Sequence, residues 1–453
     1  MRANPATWRW ALAGALLAAA GMAGCKKKAP ADLVLVSPHN KKIEAEFERA
    51  FRAWHRAQFA GADVKFEWRD VGGTTTTTKY LLNQYGRGDT SGIDLYFGGG
   101  APDHRLLTAR GVTVAVKLPA DITGQLPETI GGVRQYDADG RWHGAAISCF
   151  GILYHARLLT EKHLPLPKTW DDLADPRMRR LVGGADGSQS GSARAAYEMI
   201  VQSAPDWPAG WAKLLAIYAN CKHYPGGASD LVGDVANGEV LAGTAIDFYA
   251  YDQIAATGDE LGFTVVAGTT AFTPDPISLL KGAPHPEMAK RFIEFVLSEA
   301  GQKLWCLPPG TPGGPHTHAL YRQPVRRDIY TTCKGQMLKP LVDPFEQSGS
   351  FKLDEKAAGV RISRLHGPLM KAAAIDNKDR LAKAWAALLG ADRPAALMKE
   401  FVSLPPDLAD EAALMKTAEK LSDPKQRELI TSEWQRFFRA KYEKIVAEVE
   451  KAP

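Results

Sequence analysis

Up to about residue 340 the chain alternates short apolar runs with longer stretches whose apolar residues recur at helical spacing. Asp32-Leu33-Val34-Leu35-Val36 has the composition of a buried strand, and Ser37-Pro38-His39-Asn40 follows it. Asn40 is placed to cap a helix whose apolar face carries Ile43, Phe47, Phe51 and Trp54. Val64 to Trp68 alternates as a second strand. It leads into Val71-Gly72-Gly73 and the run Thr74 to Thr78, which opens a helix through Tyr80, Leu81 and Tyr85. Ile93-Asp94-Leu95-Tyr96-Phe97 is a third strand, closed by Gly98-Gly99-Gly100. Strand-to-helix units in succession predict a doubly wound α/β lobe.

The pattern then starts again. Trp142 to Tyr154 reads as strand, turn and strand, a crossing from one lobe into the next. Thr169 caps a helix beginning at Trp170, and the loop Asp186 to Ser192 precedes a helix through Ala195, Tyr197, Met199, Ile200 and Val201. The stretch Gly238 to Gln253 is a turn, a short buried strand, and then an abrupt series with Asp247, Phe248, Tyr249 and Tyr251. Ligands of open α/β sheets bind outside the carboxyl ends of strands, so these side chains are candidate contacts. They fit half-buried aromatic packing as well. A strand over Phe263 to Val266 and an amphipathic helix from Pro286 to Leu304, with Met288, Phe292, Phe295 and Val296 on one face, complete this part. Beyond about residue 340 the composition turns to Ala, Leu, Lys and Glu, with helical runs over Leu381 to Leu389 and Ile430 to Val449. The expected partition is 1–25 leader, 32–145 first lobe, 146–250 second lobe, 251–339 crossing and return, and 340–453 helical extension.

The amino terminus adds a compartment. Arg2 and Arg9 precede an apolar run from Trp10 to Met22 that is short for a membrane span and has the layout of a secretory signal. Met22-Ala23-Gly24-Cys25 resembles a bacterial lipobox, which implies lipidation at Cys25 and a body outside the cytoplasm held to the membrane at one end. Lys26, Lys27 and Lys28 suit anionic headgroups beside such an anchor. The net charge of +5 over 453 residues is small and dispersed, which argues against nucleic acid as a partner, and 45% hydrophobic residues suffice for large cores in more than one lobe. Cys149, Cys221, Cys306 and Cys333 remain; in an oxidising compartment they permit disulfides, and Cys306 with Cys333, both set among Pro and Gly, is the first pairing expected. No Cys-x-x-Cys, zinc-finger spacing or Gly-x-Ser-x-Gly is present to suggest a structural metal or a nucleophile.

Two loops carry anion chemistry. Gly73, Thr74 and Thr75 combine a helix start with free backbone N–H groups and hydroxyls, and Ser188, Ser190 and Gly191 repeat the arrangement in the second lobe. A simple threonine cap over a glycine turn accounts equally for the first. No Gly-Lys-Ser or Gly-Lys-Thr follows, so neither is a P-loop.

Several blocks, in order, resemble one family. They are the first strand with Ser37-Pro38-His39, then Asp94-Leu95-Tyr96-Phe97, then Leu166-Pro167-Lys168-Thr169-Trp170-Asp171-Asp172-Leu173 with Asp175-Pro176. Gly187 to Ser192, Gly238-Glu239-Val240, and Leu279 to Glu287 before Phe292, Phe295 and Leu297 follow. Over about residues 32 to 305 the chain is similar to bacterial extracellular solute-binding proteins of ABC importers, the group that includes ferric-iron, phosphonate and sugar-phosphate binders. The resemblance implies an α/β, two-lobed periplasmic-binding-protein fold of type II-like form, here with a C-terminal helical extension. It further implies a ligand between the lobes, hinge closure, an ABC permease as partner, a monomer in the periplasm or on the outer face of the cytoplasmic membrane, no cofactor and no catalysis. The expected site holds a small anionic ligand through Gly73, Thr74, Thr75, Ser188, Ser190 and Gly191, completed by His39, Asn40, Gly99, Asp247, Tyr249 and Tyr251. The family's ferric binders imply an alternative with His39, Tyr249 and Tyr251 as metal ligands. Here Gly98 and Gly99 stand where those binders place an acid, and Phe248 replaces one tyrosine. A sensory or envelope lipoprotein on the same fold is the other alternative.

Overall fold

The computed structural model describes residues 31–266, 268–349, 351–390 and 395–451; Cys25 and the lysines after it lie outside these. Twelve strands are named here in chain order. The first six are β1 (Leu33–Val36), β2 (Phe66–Arg69), β3 (Leu95–Phe97), β4 (Thr113–Val114), β5 (Thr129–Ile130) and β6 (Val133–Arg134). The others are β7 (His143–Ser148), β8 (Phe150–His155), β9 (Val182–Gly183), β10 (Ala242–Ile246), β11 (Leu261–Val265) and β12 (Thr273–Leu280).

The first lobe is built on a six-stranded sheet in the order β2-β1-β3-β12-β4, with β7 also pairing β12. β1 runs parallel to β2 and β3, whereas β12 is antiparallel to β3, β4 and β7. The apolar stripe of helix Lys41–Gln58 lays Phe47 and Phe51 on one face of this sheet, where they meet Phe97, Phe292, Phe295 and Trp305 in a buried aromatic cluster. Val36, Leu81, Ile93, Tyr96 and Leu107 form the core of the opposite face. Asn40 caps the helix as the sequence predicts, its Oδ1 accepting from Ile43 N–H at 3.1 Å. The stretch expected as one helix from Pro286 to Leu304 is two, Pro286–Leu297 and Glu299–Cys306, because Ser298 leaves the helical conformation and caps the second through Gly301 N–H at 3.3 Å.

The second lobe has a four-stranded sheet in the order β11-β8-β10-β9. Before the extension two segments join the lobes, Cys149 between β7 and β8 and the return from β11 to β12; the chain crosses a third time between Phe345, packed on the first-lobe core, and Leu353, packed on the second-lobe core. The first two are tied side by side, Thr270 Oγ1 donating to the Phe150 carbonyl at 2.7 Å and Thr273 Oγ1 to that of Ser148 at 3.4 Å. The return lies later than the sequence suggests. Helix Asp247–Thr257 packs on β10 and β11, so it belongs with β11 to the second lobe rather than to a crossing segment.

The extension packs on the second lobe instead of projecting from it. Leu365, Leu369, Leu381, Trp385, Phe438 and Tyr442 lie in the same continuous core as Ile152, Tyr197, Trp211 and Leu214. Cys149, Cys221, Cys306 and Cys333 are all buried free thiols; Cys306 and Cys333 share a small cluster with Leu307 and Ile329 without being bonded. Among the described residues no helix is long and apolar enough to cross a membrane.

Candidate functional site

Between the lobes lies a cavity of about 170 Å³. Five helices of nine or more residues begin at its wall: Lys41–Gln58, Thr74–Tyr85, Ala101–Ala109, Gly191–Gln202 and Asp247–Thr257. Two of these starts, after Gly73 and Gly100, have no side chain capping them, which leaves first-turn N–H groups for a ligand, whereas at the start after Ile246 the Asp247 N–H donates to the Cys149 carbonyl at 3.0 Å and the Phe248 N–H to Asp247 Oδ1 at 2.8 Å. Aligned peptide dipoles make each start partly positive, and together they favour an anion.

The charged centre comes from residues far apart in sequence. Arg322 and Asp275, both almost fully buried, form an ion pair, and the Arg322 guanidinium lies 3.7 Å from the Phe248 ring centroid. Asp275 turns inward where β12 carries a bulge, between Pro274 and Pro276, neither of which can donate a ladder hydrogen bond. His39 Nε2 stands 3.0 Å from Asp275 Oδ2. Burial, and then Arg322, hold the imidazole well below its usual pKa, so it is neutral. The carboxylate opposite only accepts, which places the proton on Nε2 and leaves Nδ1 an acceptor. Burial lowers the Arg322 pKa to about 10, which still leaves it cationic at neutral pH. His39 Nδ1, Arg322 Nε, Asp275 Oδ1 and Ser148 Oγ are buried without a protein partner, and all four residues line the cavity. Buried polar atoms are rarely left so, and a cluster of them marks a place where a ligand or water completes the bonding.

The second lobe contributes Arg194, which donates to the Gly187 carbonyl at 2.8 Å and, across the cleft, to Thr75 Oγ1 at 3.2 Å. Burial lowers the Arg194 pKa while nearby Asp103 opposes that shift. Tyr249 also lines the cavity, its phenol pushed up by burial. On the remaining side Leu353, Glu355, Ala358 and Ile362 of the C-terminal extension form part of the wall. Arg105 of the first lobe meets Glu355 there at 2.5 Å.

The model for bacterial extracellular solute-binding proteins matches residues 48–326, more than half of the chain. The chain belongs to this family. Salmonella typhimurium PgtC, a phosphoglycerate transport regulatory protein, is 31% identical to this solute-binding protein over 159 residues, covering 35% of the chain and 39% of PgtC. The matched part thus spans well under half of that relative. Among solved structures, AfuA of Actinobacillus pleuropneumoniae, a periplasmic binding protein with exogenous fructose-6-phosphate bound, superposes with a TM-score of 0.58 at 18% identity, covering 78% of this chain and 97% of AfuA. Iron-bound HitA of Pseudomonas aeruginosa gives a TM-score of 0.53 at 18% identity, over 74% of this chain and 100% of HitA. At such identities the likeness is one of fold, and it matches the two-lobed architecture.

The solute-binding protein brings some of the sequence-predicted residues together and not others. His39, Asn40, Thr74, Gly99, Gly191 and Tyr249 line the cavity. Gly73 instead precedes the helix as its cap residue, and Thr75 is reached only through Arg194. Ser190 is turned to Ala193 N–H as a helix cap at 3.2 Å, and Ser188 N–H is held by Asp186 Oδ1 at 2.7 Å; neither serine lines the wall. Asp247 is fully buried beneath the hinge, accepting from Cys149 N–H at 3.0 Å and Phe248 N–H at 2.8 Å. Tyr251 turns away to pack edge-on against Phe263, so His39, Tyr249 and Tyr251 do not form a common ligand set. No group of three or more His, Cys, Asp or Glu suited to a metal occurs among the described residues. Arg322, Asp275, Arg194, Arg105 and Glu355 were not foreseen. Asp275 between two prolines in a strand was the one signal available, since such a strand must bulge.

Proposed function

We propose that this solute-binding protein captures a small anionic organic ligand, a phosphonate or a phosphorylated compound, in the interlobe cavity and presents it to an ABC permease. The observation that carries the reading is the buried Arg322, with unpartnered Nε, His39 Nδ1 and Ser148 Oγ beside it, at the meeting point of helix N-termini. The ligand's anion takes hydrogen bonds from Arg322 and the free N–H groups, and His39 Nδ1 accepts from a ligand hydroxyl or acid proton. The names of PgtC and AfuA, one a phosphoglycerate and the other a fructose-6-phosphate protein, support this class of ligand. Attachment of the mature chain to the membrane through a lipid on Cys25 is part of the same reading. A signalling role for the closed form is a second reading, favoured by the regulatory description of PgtC.

The test is calorimetric titration of unlipidated, metal-free protein with 3-phosphoglycerate, phenylphosphonate, inorganic phosphate and ferric citrate. At least one phosphorus anion binds, and Arg322→Gln weakens it by about 2 kcal/mol or more. A visible charge-transfer band with ferric citrate, lost in Tyr249→Phe, together with no phosphorus-anion binding, would replace this reading with the ferric one.

A further inference from the structure

The cavity has two kinds of lining. His39, Ser148, Asp275 and Arg322 supply buried polar groups, whereas Val133, Phe150 and Met199 from the lobes and Leu353, Ala358 and Ile362 from the extension are apolar. The last three residues lie beyond the region shared with the family, which ends at 326. They are held in place from several sides. Asp354 and Gln202 of the second lobe exchange hydrogen bonds of 2.8 and 3.2 Å, and Arg361, behind the wall, pairs with buried Glu198 at 2.8 Å. Val133, Phe150, Met199 and Ala358 are all less than a tenth exposed and Leu353 and Ile362 are half-buried, while Glu355 of the same segment is paired with Arg105.

We infer that the segment 351–362 is the second half of the ligand site, and that it selects an anion with a compact apolar body, such as a single aromatic ring, over a polyhydroxylated one. This rests on the anion-binding reading above and specifies it. A hydroxyl brought against Val133, Phe150, Met199, Leu353, Ala358 or Ile362 gives up water and finds no partner on these six side chains, and Glu355 of the same segment is already paired with Arg105, so the loss is about 10- to 100-fold in affinity. An apolar body gains by leaving water, and a cavity of about 170 Å³ is of the size that admits one aromatic ring.

The experiment is titration of the full mature chain with phenylphosphonate, 3-phosphoglycerate and inorganic phosphate. Wild type is compared with Leu353→Gln and Ile362→Gln, both at half-buried positions. Melting temperatures are recorded for each to establish folding. Phenylphosphonate binds at least tenfold tighter than 3-phosphoglycerate, and each variant narrows that ratio several-fold. Equal or tighter binding of 3-phosphoglycerate, with the ratio unmoved in the variants, overturns the apolar-wall assignment and leaves the anion reading standing. Binding of none of the three overturns both.

Discussion

At the scale of single residues, the glycines after β3 fix where the His39 imidazole sits in the cavity wall. Gly98 has φ +98°, and a Cβ there would lie 2.6 Å from His39 Nε2 and 2.7 Å from its Cε1. Gly98→Ala therefore turns His39 away from Asp275, and we expect a tenfold or greater loss of anion affinity by calorimetry. The left-handed backbone adds about 1–3 kcal/mol of destabilisation in urea titration. Gly61→Ala, at φ +79° with no neighbour within 4 Å, is the control: it costs stability and leaves affinity alone. The glycine run was legible in the sequence as a place of close approach, and so was His39 at a strand end. Arg322 was not, because it sits in irregular chain between Leu307 and Asp328, where nothing local signals burial. Its role exists only through Asp275 and Phe248, 47 and 74 positions away in sequence order.

At the scale of elements, the strand-helix alternation and the cap at Asn40 were readable because local pattern decides them. The destination of the C-terminal helices was not, since an amphipathic face declares that it is buried and not against what. That contact is set by a buried charge cluster between helix Gly191–Gln202 and the extension. Glu198 receives Arg361 at 2.8 Å and His366 at 2.6 Å, and Arg361 also reaches Glu411 at 2.8 Å. Burial works against the Glu198 charge, but His366 and Arg361 outweigh it and hold its pKa down to about 2. Burial lowers the His366 pKa, the Glu198 partner opposing, so the ring is neutral and donates from Nε2. Both groups then bind fewer protons folded than unfolded. Their stabilisation is complete above the unfolded histidine range, about 6.5, and is lost as pH falls, first through His366 and then, below about 4.3, through Glu198. Glu198→Gln removes the buried charge partner of Arg361 and leaves it only the half-exposed Glu411, and the expected loss is about 3 kcal/mol at pH 7. Urea titrations at pH 7 and pH 4 check both statements: the gap between the two pH values shrinks in the variant.

At the scale of the whole molecule, the extension converts a two-lobed clamp into one with a third side. The crossing strands run side by side at Cys149 and the return to β12, and the extension, rooted in the second-lobe core, meets the first lobe through the pair of Arg105 with Glu355 and, near its start, through Val342 and Phe345 packed on the first-lobe core. Opening must break Lys42 with Asp252 at 2.8 Å, Arg194 with Thr75 at 3.2 Å, and Arg105 with Glu355 at 2.5 Å. None of these three is an apolar contact, so each is a tie that water can replace and that a ligand bridging the lobes can outweigh. Arg105 is about a third exposed and Glu355 a quarter, so water screens their pair only in part. Arg105→Met keeps the length of the side chain and removes the tie. With spin labels on exposed positions of the two lobes, the ligand-free variant shows a longer interlobe distance than wild type. Saturating phosphorus anion restores the short one. Because the competent state is then less populated, apparent affinity falls several-fold, in proportion to the closed fraction lost. Raising ionic strength moves wild type in the same direction and the variant less, since it has one charge pair fewer to screen. Equal distances in both proteins without ligand would mean that Arg105 and Glu355 line the cavity without governing its closure.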